Sequence, residues 1–210
     1  MKFKTLYADP PWHFDDKLDP TRHKPYDTLT IEDLMKLPIH QLMDSEAHFY
    51  LWSTSSHIHE ALHLMEAWGF DYKTLIPWIK KTKEGKWWFG MGHFFRAVHE
   101  PCLFGVKGGL HTKTKNTRNF LIAKAPDKHS SKPPEMYRLI EKQSPGPYLE
   151  LFSRNHRAGW VMVGDEIDGQ DIRETLRNLT NSDIQKEVNT QSSSSLLAYV
   201  RHPPIRRNEE

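Results

Sequence analysis

Cysteine is almost absent. Cys102 is the only one in 210 residues, so no intramolecular disulfide and no cysteine-based zinc site is expected. A reducing, intracellular setting follows. No apolar run approaches the length of a membrane span. The N-terminus carries Lys2 and Lys4 but no long apolar stretch, so no signal peptide is expected. These absences predict a cytoplasmic protein with no membrane partner. Net charge is small too, at +2, which excludes a uniformly basic or acidic chain.

The small net charge hides an uneven distribution. Residues 1–79 carry 7 Lys/Arg against 12 Asp/Glu, residues 80–132 carry 12 against 3, and residues 133–210 carry 10 against 12. A basic block inside a near-neutral chain is a candidate phosphate-binding surface; the alternative is a set of solvated lysine-rich loops. The length fits one domain plus an appendage, divided here as 1–169 and 170–210. Seven Trp, seven Tyr and ten Phe supply core and stacking surface.

The most informative stretch is Asp9-Pro10-Pro11-Trp12. It closes an apolar run, residues 3–8, that reads as a buried β-strand. A carboxylate at the carboxyl end of such a strand sits where open α/β sheets hold ligands. Pro11 donates no backbone N–H, but the proline carbonyls still accept. Trp12 adds a flat apolar face. Together these suit a planar base carrying an exocyclic amine: the ring stacks, and the oxygens accept the amine hydrogens.

The tetrapeptide after a strand resembles the catalytic motif of amino methyltransferases acting on N6 of adenine, and the rest of the chain is similar to their MT-A70-like family, in its phage and bacterial DNA branch. The resemblance implies a Rossmann-like α/β methyltransferase fold with a mostly parallel sheet. It also implies a permuted order, the catalytic motif preceding the cofactor motif. The implied reaction is methyl transfer from S-adenosylmethionine to adenine N6, in DNA by preference. RNA as substrate, or a non-catalytic nucleic-acid-binding partner of the same family, are the alternatives. A phage or bacterial cytoplasm is the implied setting, and a homodimer is a possible assembly.

Further segments carry the resemblance in order. Pro25-Tyr26-Asp27-Thr28-Leu29 matches a segment that lies over the family's pocket, making Tyr26 either a base-packing lid residue or a plain packing tyrosine. His99-Glu100-Pro101-Cys102-Leu103-Phe104-Gly105 matches a stretch with a glutamate near the pocket; Glu100 either contacts substrate, holds a lysine of the site, or forms a structural ion pair. Lys80, at the start of the basic block, is a candidate substrate contact. Ser131-Lys132-Pro133-Pro134-Glu135 resembles the family's His-Lys-Pro-x-Glu motif, with Ser131 in place of His. The resemblance places Lys132 at the cofactor carboxylate. In the cofactor half it implies Phe152 and Arg154, with Arg154 at the ribose, and Asp165 and Glu166 as hydrogen-bond partners of ribose and adenine. Asp9 also faces the cofactor. Asp165 stands where the family usually has Asn, and Ser153-Arg154 stands where general methyltransferases carry a Gly-x-Gly turn.

Periodicity supplies the remaining elements. Thr30, with Asp33 three residues on, predicts an N-cap and a helix through Leu34 that stops at Pro38. Residues 47–52 and 72–79 read as strands flanking a helix with Ile58, Leu62, Met65 and Trp68 on one face, a βαβ unit. Residues 94–106, 119–123, 148–153 and 159–166 read as strands, and 135–142 and 171–179 as helices. Lys80 to Phe89, with Lys81, Lys83, Lys86, Trp87 and Trp88, reads as a mobile nucleic-acid loop, charges for phosphate and rings for bases; the alternative is a loop burying its own tryptophans. Residues 107–118 are a second basic loop. His59-Glu60-Ala61-Leu62-His63 matches a zinc-protease signature, but Leu64, Met65 and Glu66 do not extend it, and no metal site is expected. Residues 180–195 read as a linker and the last residues as a frayed tail.

Overall fold

The computed structural model describes residues 2–13, 28–92, 94–126 and 131–181. Seven strands form one sheet: β1 (Phe3–Ala8), β2 (Met43–Trp52), β3 (Asp71–Lys81), β4 (His99–Lys107), β5 (Leu121–Lys124), β6 (Tyr148–Leu151) and β7 (Trp160–Val163). The order is β5-β3-β4-β2-β1-β6-β7. Four pairings are parallel, and β4 alone runs antiparallel, between β2 and β3. The chain is therefore a mostly parallel α/β fold of the Rossmann-like methyltransferase type.

Alternation in the strands builds two cores. Leu6, Ala8, Phe49 and Leu51 point to one face, where α1 (Ile31–Met35) and α3 (Ile58–Ala67) supply Leu34, Leu64 and Met65. Tyr7, Tyr50, Trp52 and Trp78 point to the other, where α4 (Pro134–Gln143) supplies Met136 and Ile140. This period-2 partition is what a strand's geometry dictates. Both faces are covered, as a parallel sheet requires. Two further short helices are α2 (Ile39–Leu42) and α5 (Asp165–Asp168). Residues 172–181 are also helical and bury Ile172 and Leu176 in the first core.

Local signals behave as their chemistry predicts. The Asp33 N–H donates to Thr30 Oγ1 at 3.2 Å, closing the N-cap of α1. Gly69 ends α3 with φ +81°, a left-handed value that costs glycine little. Pro134 opens α4, where its missing N–H is harmless.

Strand ends differ from the sequence reading: β5 is Leu121–Lys124, not 119–123, β6 stops at Leu151, not residue 153, and three further differences are larger. β2 begins at Met43, not residue 47, because Met43 pairs with Phe3 across an irregularity in the register. β4 begins at His99, so residues 94–98 are not strand; Phe94 and Phe95 are exposed there with no sheet to pack on. The final strand stops at Val163, and Asp165 and Glu166 open α5 instead of extending it.

The topology fixes where a ligand can sit. From β1 the chain builds the sheet outward through β2, then crosses back through α4 to place β6 on the other side of β1. That reversal leaves a crevice beyond the ends of β1 and β6, the switch point where open α/β sheets bind ligands. Ala8 pairs with Leu151, so Asp9 and Phe152 emerge side by side although 143 positions separate them.

Candidate active site

Four ionised side chains converge at the crevice from four elements. Lys132, just before α4, donates to Asp9 Oδ2 at 2.7 Å and pairs with Glu100 Oε1 at 2.9 Å. Lys80, near the end of β3, pairs with Glu100 Oε2 at 2.7 Å. The result is a row of alternating sign: Asp9, Lys132, Glu100, Lys80. Lys132 also sits 5.4 Å over the Trp52 ring, and Lys80 4.5 Å over Trp78. The Lys132 side chain is only 10% exposed. Such buried charges persist only when paired.

Burial and charge act in opposite directions along this row. Burial pushes the Asp9 carboxyl up, and Lys132 pulls only part of that back. Burial alone would lower the Lys132 ammonium, but Asp9 and Glu100 together hold it above its ordinary value. Burial opposes ionisation of Glu100 as well; there Lys132 and Lys80 win, and the carboxyl lies below its usual range.

The turn after Asp9 is locked by its own backbone. Trp12 N–H donates to Pro10 O at 2.9 Å, and Leu29 N–H donates to Pro11 O at 3.0 Å. A carbonyl has two acceptor lone pairs, so Pro10 keeps one to offer. Trp12 is buried: its indole N–H donates to Trp52 O at 3.1 Å, and its ring stacks on His57, centroids 5.7 Å apart. One indole face is thus taken.

Beside Asp9 lies a cavity of about 220 Å³ lined by Tyr7, Lys132, Tyr137, Glu150, Phe152 and Arg154, among others. Phe152 has φ +62°, a left-handed conformation that is unusual for a bulky residue. It turns the chain sharply out of β6 and sends Ser153 and Arg154 into the cavity wall. Gly164 makes that turn possible: a Cβ there would lie 2.2 Å from Ser153 O. Arg154 Nε meets Glu166 Oε1 at 3.2 Å.

A sequence model of the MT-A70 family matches residues 3–166. The chain belongs to the MT-A70 family. It is 32% identical over 177 residues to the zebrafish N(6)-adenosine-methyltransferase subunit METTL3, covering 80% of this chain and 28% of that protein. It is 31% identical to the human N(6)-adenosine-methyltransferase catalytic subunit METTL3, covering 80% and 29%. It is 28% identical over 194 residues to the Type II methyltransferase M.MunI of Mycoplasma sp., covering 81% and 80%. The chain thus spans under a third of the METTL3 proteins it matches.

Within this MT-A70 chain the residues singled out from sequence fall into three groups. Asp9, Lys132, Phe152 and Arg154 line one cavity, and Glu166 joins through Arg154. Lys80 and Glu100 join through Lys132. Asp165 is exposed at the start of α5, next to Glu166 and outside the cavity lining. Tyr26 lies outside the described residues. His59 and His63 are exposed on α3, and the described residues hold no group of three or more His, Cys, Asp or Glu placed for a metal ion. No helix among the described residues is long and apolar enough to cross a membrane.

Sequence reasoning missed Glu150 and Tyr137. Glu150 is buried in the middle of β6. Burial pushes its pKa up to about 7, with the Asp9 charge adding, against the Tyr137 hydroxyl. Tyr137 donates to Glu150 Oε1 at 3.0 Å, while Oε2 has no hydrogen-bond partner among the described residues. The signal was available: an acid between Leu149 and Leu151, inside a strand that is otherwise apolar or aromatic, is rarely placed there for packing.

Proposed function

We propose that the chain transfers a methyl group from S-adenosylmethionine to N6 of adenine in nucleic acid, DNA by preference. The observation that carries the reading is the Asp9 carboxylate, held by Lys132 at the mouth of a cavity between the ends of β1 and β6. That cavity's groups fit S-adenosylmethionine. Glu150 Oε2 is a buried acceptor that needs a donor such as a hydroxyl. Lys132 and Arg154 suit anionic and hydroxyl groups, and Phe152 and Tyr137 supply apolar walls. The cofactor, when bound, supplies an electrophilic methyl on a sulfonium.

The chain's residues prepare the amine. The adenine N6 lone pair is delocalised into the ring, so it is a poor nucleophile. Asp9 and the remaining lone pair of Pro10 O accept its two hydrogens. This draws the nitrogen toward tetrahedral geometry and aims its lone pair at the methyl. Trp12 is too buried to stack on the base as its sequence position suggested; locked on Trp52 O and the His57 ring, it instead fixes the turn that presents Asp9 and Pro10. The raised Asp9 pKa makes its carboxylate a stronger acceptor for these hydrogens than an exposed aspartate. Glu100 keeps Lys132 charged and positioned whether or not Asp9 is engaged with substrate. After transfer the methylated nitrogen is cationic and carries two hydrogens, and it gives one up as a proton to solvent. Positioning and preorganised charge supply the acceleration. In a duplex the target adenine must first leave the stack.

The preference for DNA rests on size: the match extends over 80% of the M.MunI methyltransferase. The test is label transfer from S-adenosylmethionine to unmethylated genomic DNA, both native and heat-denatured, and to total RNA in parallel, with nucleoside analysis. N6-methyladenine in DNA is expected. Label in RNA alone would reassign the substrate and keep the mechanism. No label in either from folded protein, with no cofactor binding, would overturn the reading.

A further inference from the structure

The chain between β3 and β4 carries an unusual surface. Phe94 is 94% exposed, Phe95 88%, Phe89 77% and Trp87 61%, with Met91 exposed beside them. Large apolar side chains in such density on a chain surface mark an interaction site. Cations are interleaved with the rings: Lys81 lies 4.4 Å over the Trp87 ring, and the Arg96 guanidinium 5.2 Å over Phe89. Lys83 and Lys86 add two more, against Glu84 as the one acid between Lys80 and Val98.

The segment is rooted in the proposed catalytic centre. Lys80 N–H donates to Val98 O at 2.8 Å, Trp88 N–H to Lys80 O at 3.1 Å, and Gly90 N–H to Ala97 O at 2.9 Å. Lys80 is itself the last member of the ion row that ends on Asp9. The base of this segment therefore adjoins the ion row of the site.

We propose that the exposed rings of Trp87, Phe89, Phe94 and Phe95 form a stacking platform for unpaired nucleotides flanking the target base, so that the substrate is engaged as a single strand. The inference rests on the methyl-transfer reading for the words "target base" and on the surface itself for the rest. Exposed ring faces pair with base faces, and duplex stacking hides base faces from them. Single-strand sites combine aromatic stacking surfaces with positive charge along the backbone path, and this segment carries exposed rings and interleaved cations. The partner must be anionic, because the cations sit on the rings. Aromatic residues, Met and Arg also enrich protein interfaces, but lysine is depleted there, and Lys81, Lys83 and Lys86 stand among these rings.

The test uses the full chain and a double variant, Phe94→Ala with Phe95→Ala, whose exposed positions keep the core intact. Binding of a fluorescent oligonucleotide is measured as single-stranded DNA, as single-stranded RNA and as blunt DNA duplex, with sedimentation velocity alongside. Wild type is expected to bind at least one single strand at least 10-fold tighter than the duplex. Each lost base–ring stack weakens binding by about 5- to 150-fold, so the double variant should lose at least about 5-fold on that strand if one ring stacks and about 25-fold if both do, and little on the duplex. Equal affinity for strand and duplex would overturn the proposal. So would unchanged single-strand binding, including a variant whose only change is loss of self-association, which would make the surface an interface between two copies. Calorimetric binding of S-adenosylmethionine, run separately, reports on the methyl-transfer reading and does not depend on these rings.

Discussion

Replacing Glu150 by glutamine should make the protein more stable at neutral pH and above while impairing its function. In the folded chain burial holds the Glu150 carboxyl at about 7, against an ordinary value of 4.5. The gap of roughly 2.5 pH units corresponds to about 3 kcal/mol. Its sign follows from proton counting. Between the two values the folded state keeps the proton and the unfolded state has lost it, so stability falls as pH rises through this window. Above about pH 7 the folded state bears the whole cost of an ionised buried carboxylate. Glutamine keeps an oxygen for the Tyr137 hydroxyl and has no charge to desolvate. The variant should come within about 1 kcal/mol of wild type at pH 5, just inside the window, and exceed it by about 1–3 kcal/mol at pH 8, the lower figure if water in the cavity screens the carboxylate. Urea unfolding at 25 °C from pH 5 to pH 8, without ligand, reads this difference directly. A difference that does not change with pH, or a variant less stable at pH 8, would refute the reasoning. S-adenosylmethionine affinity should fall in the same variant, a stability gain set against function.

Asp9→Ala should abolish methyl transfer while leaving cofactor affinity within a few-fold, measured by single-turnover labelling and calorimetry; near-normal turnover would remove Asp9 from its role. Glu100→Gln leaves Lys132 and Lys80 facing each other without their shared carboxylate, and unfolding should show a loss of about 3–5 kcal/mol, as when one partner of a buried pair is removed. Gly164→Ala forces a Cβ to 2.2 Å from Ser153 O, and should cost about 1–3 kcal/mol in overpacking strain together with cofactor binding. Gly159→Ala, where nothing lies near the added Cβ but φ is +83°, should cost only about 1 kcal/mol and leave cofactor binding unchanged.

Most of the elements were legible because their causes are local. The Thr30 cap, the apolar face of α3, the Gly69 stop and Pro134 at the head of α4 are satisfied within a few residues of chain. The strand over residues 94–98 was misread because its aromatic composition is that of a strand, while only a sheet partner makes one, and Phe94 and Phe95 have none. Trp87 and Trp88 read as exposed rings of a loop, with burial within the loop as the alternative, and the structure leaves both exposed.

By itself the sequence determined the order of strands and helices, the carboxylate-proline-tryptophan turn after β1, and the basic character of the middle third. Those are properties of neighbouring residues, written in period and spacing. Only the tertiary structure decided that Asp9 meets Lys132 across 123 positions, that Glu100 stands between two lysines, and that Glu150 is a buried carboxyl titrating near neutrality. Those follow from the crossover that sets β6 against β1 and inserts β4 antiparallel beside β2. A charge acquires its partner and its dielectric from such long-range neighbours, which no local pattern contains.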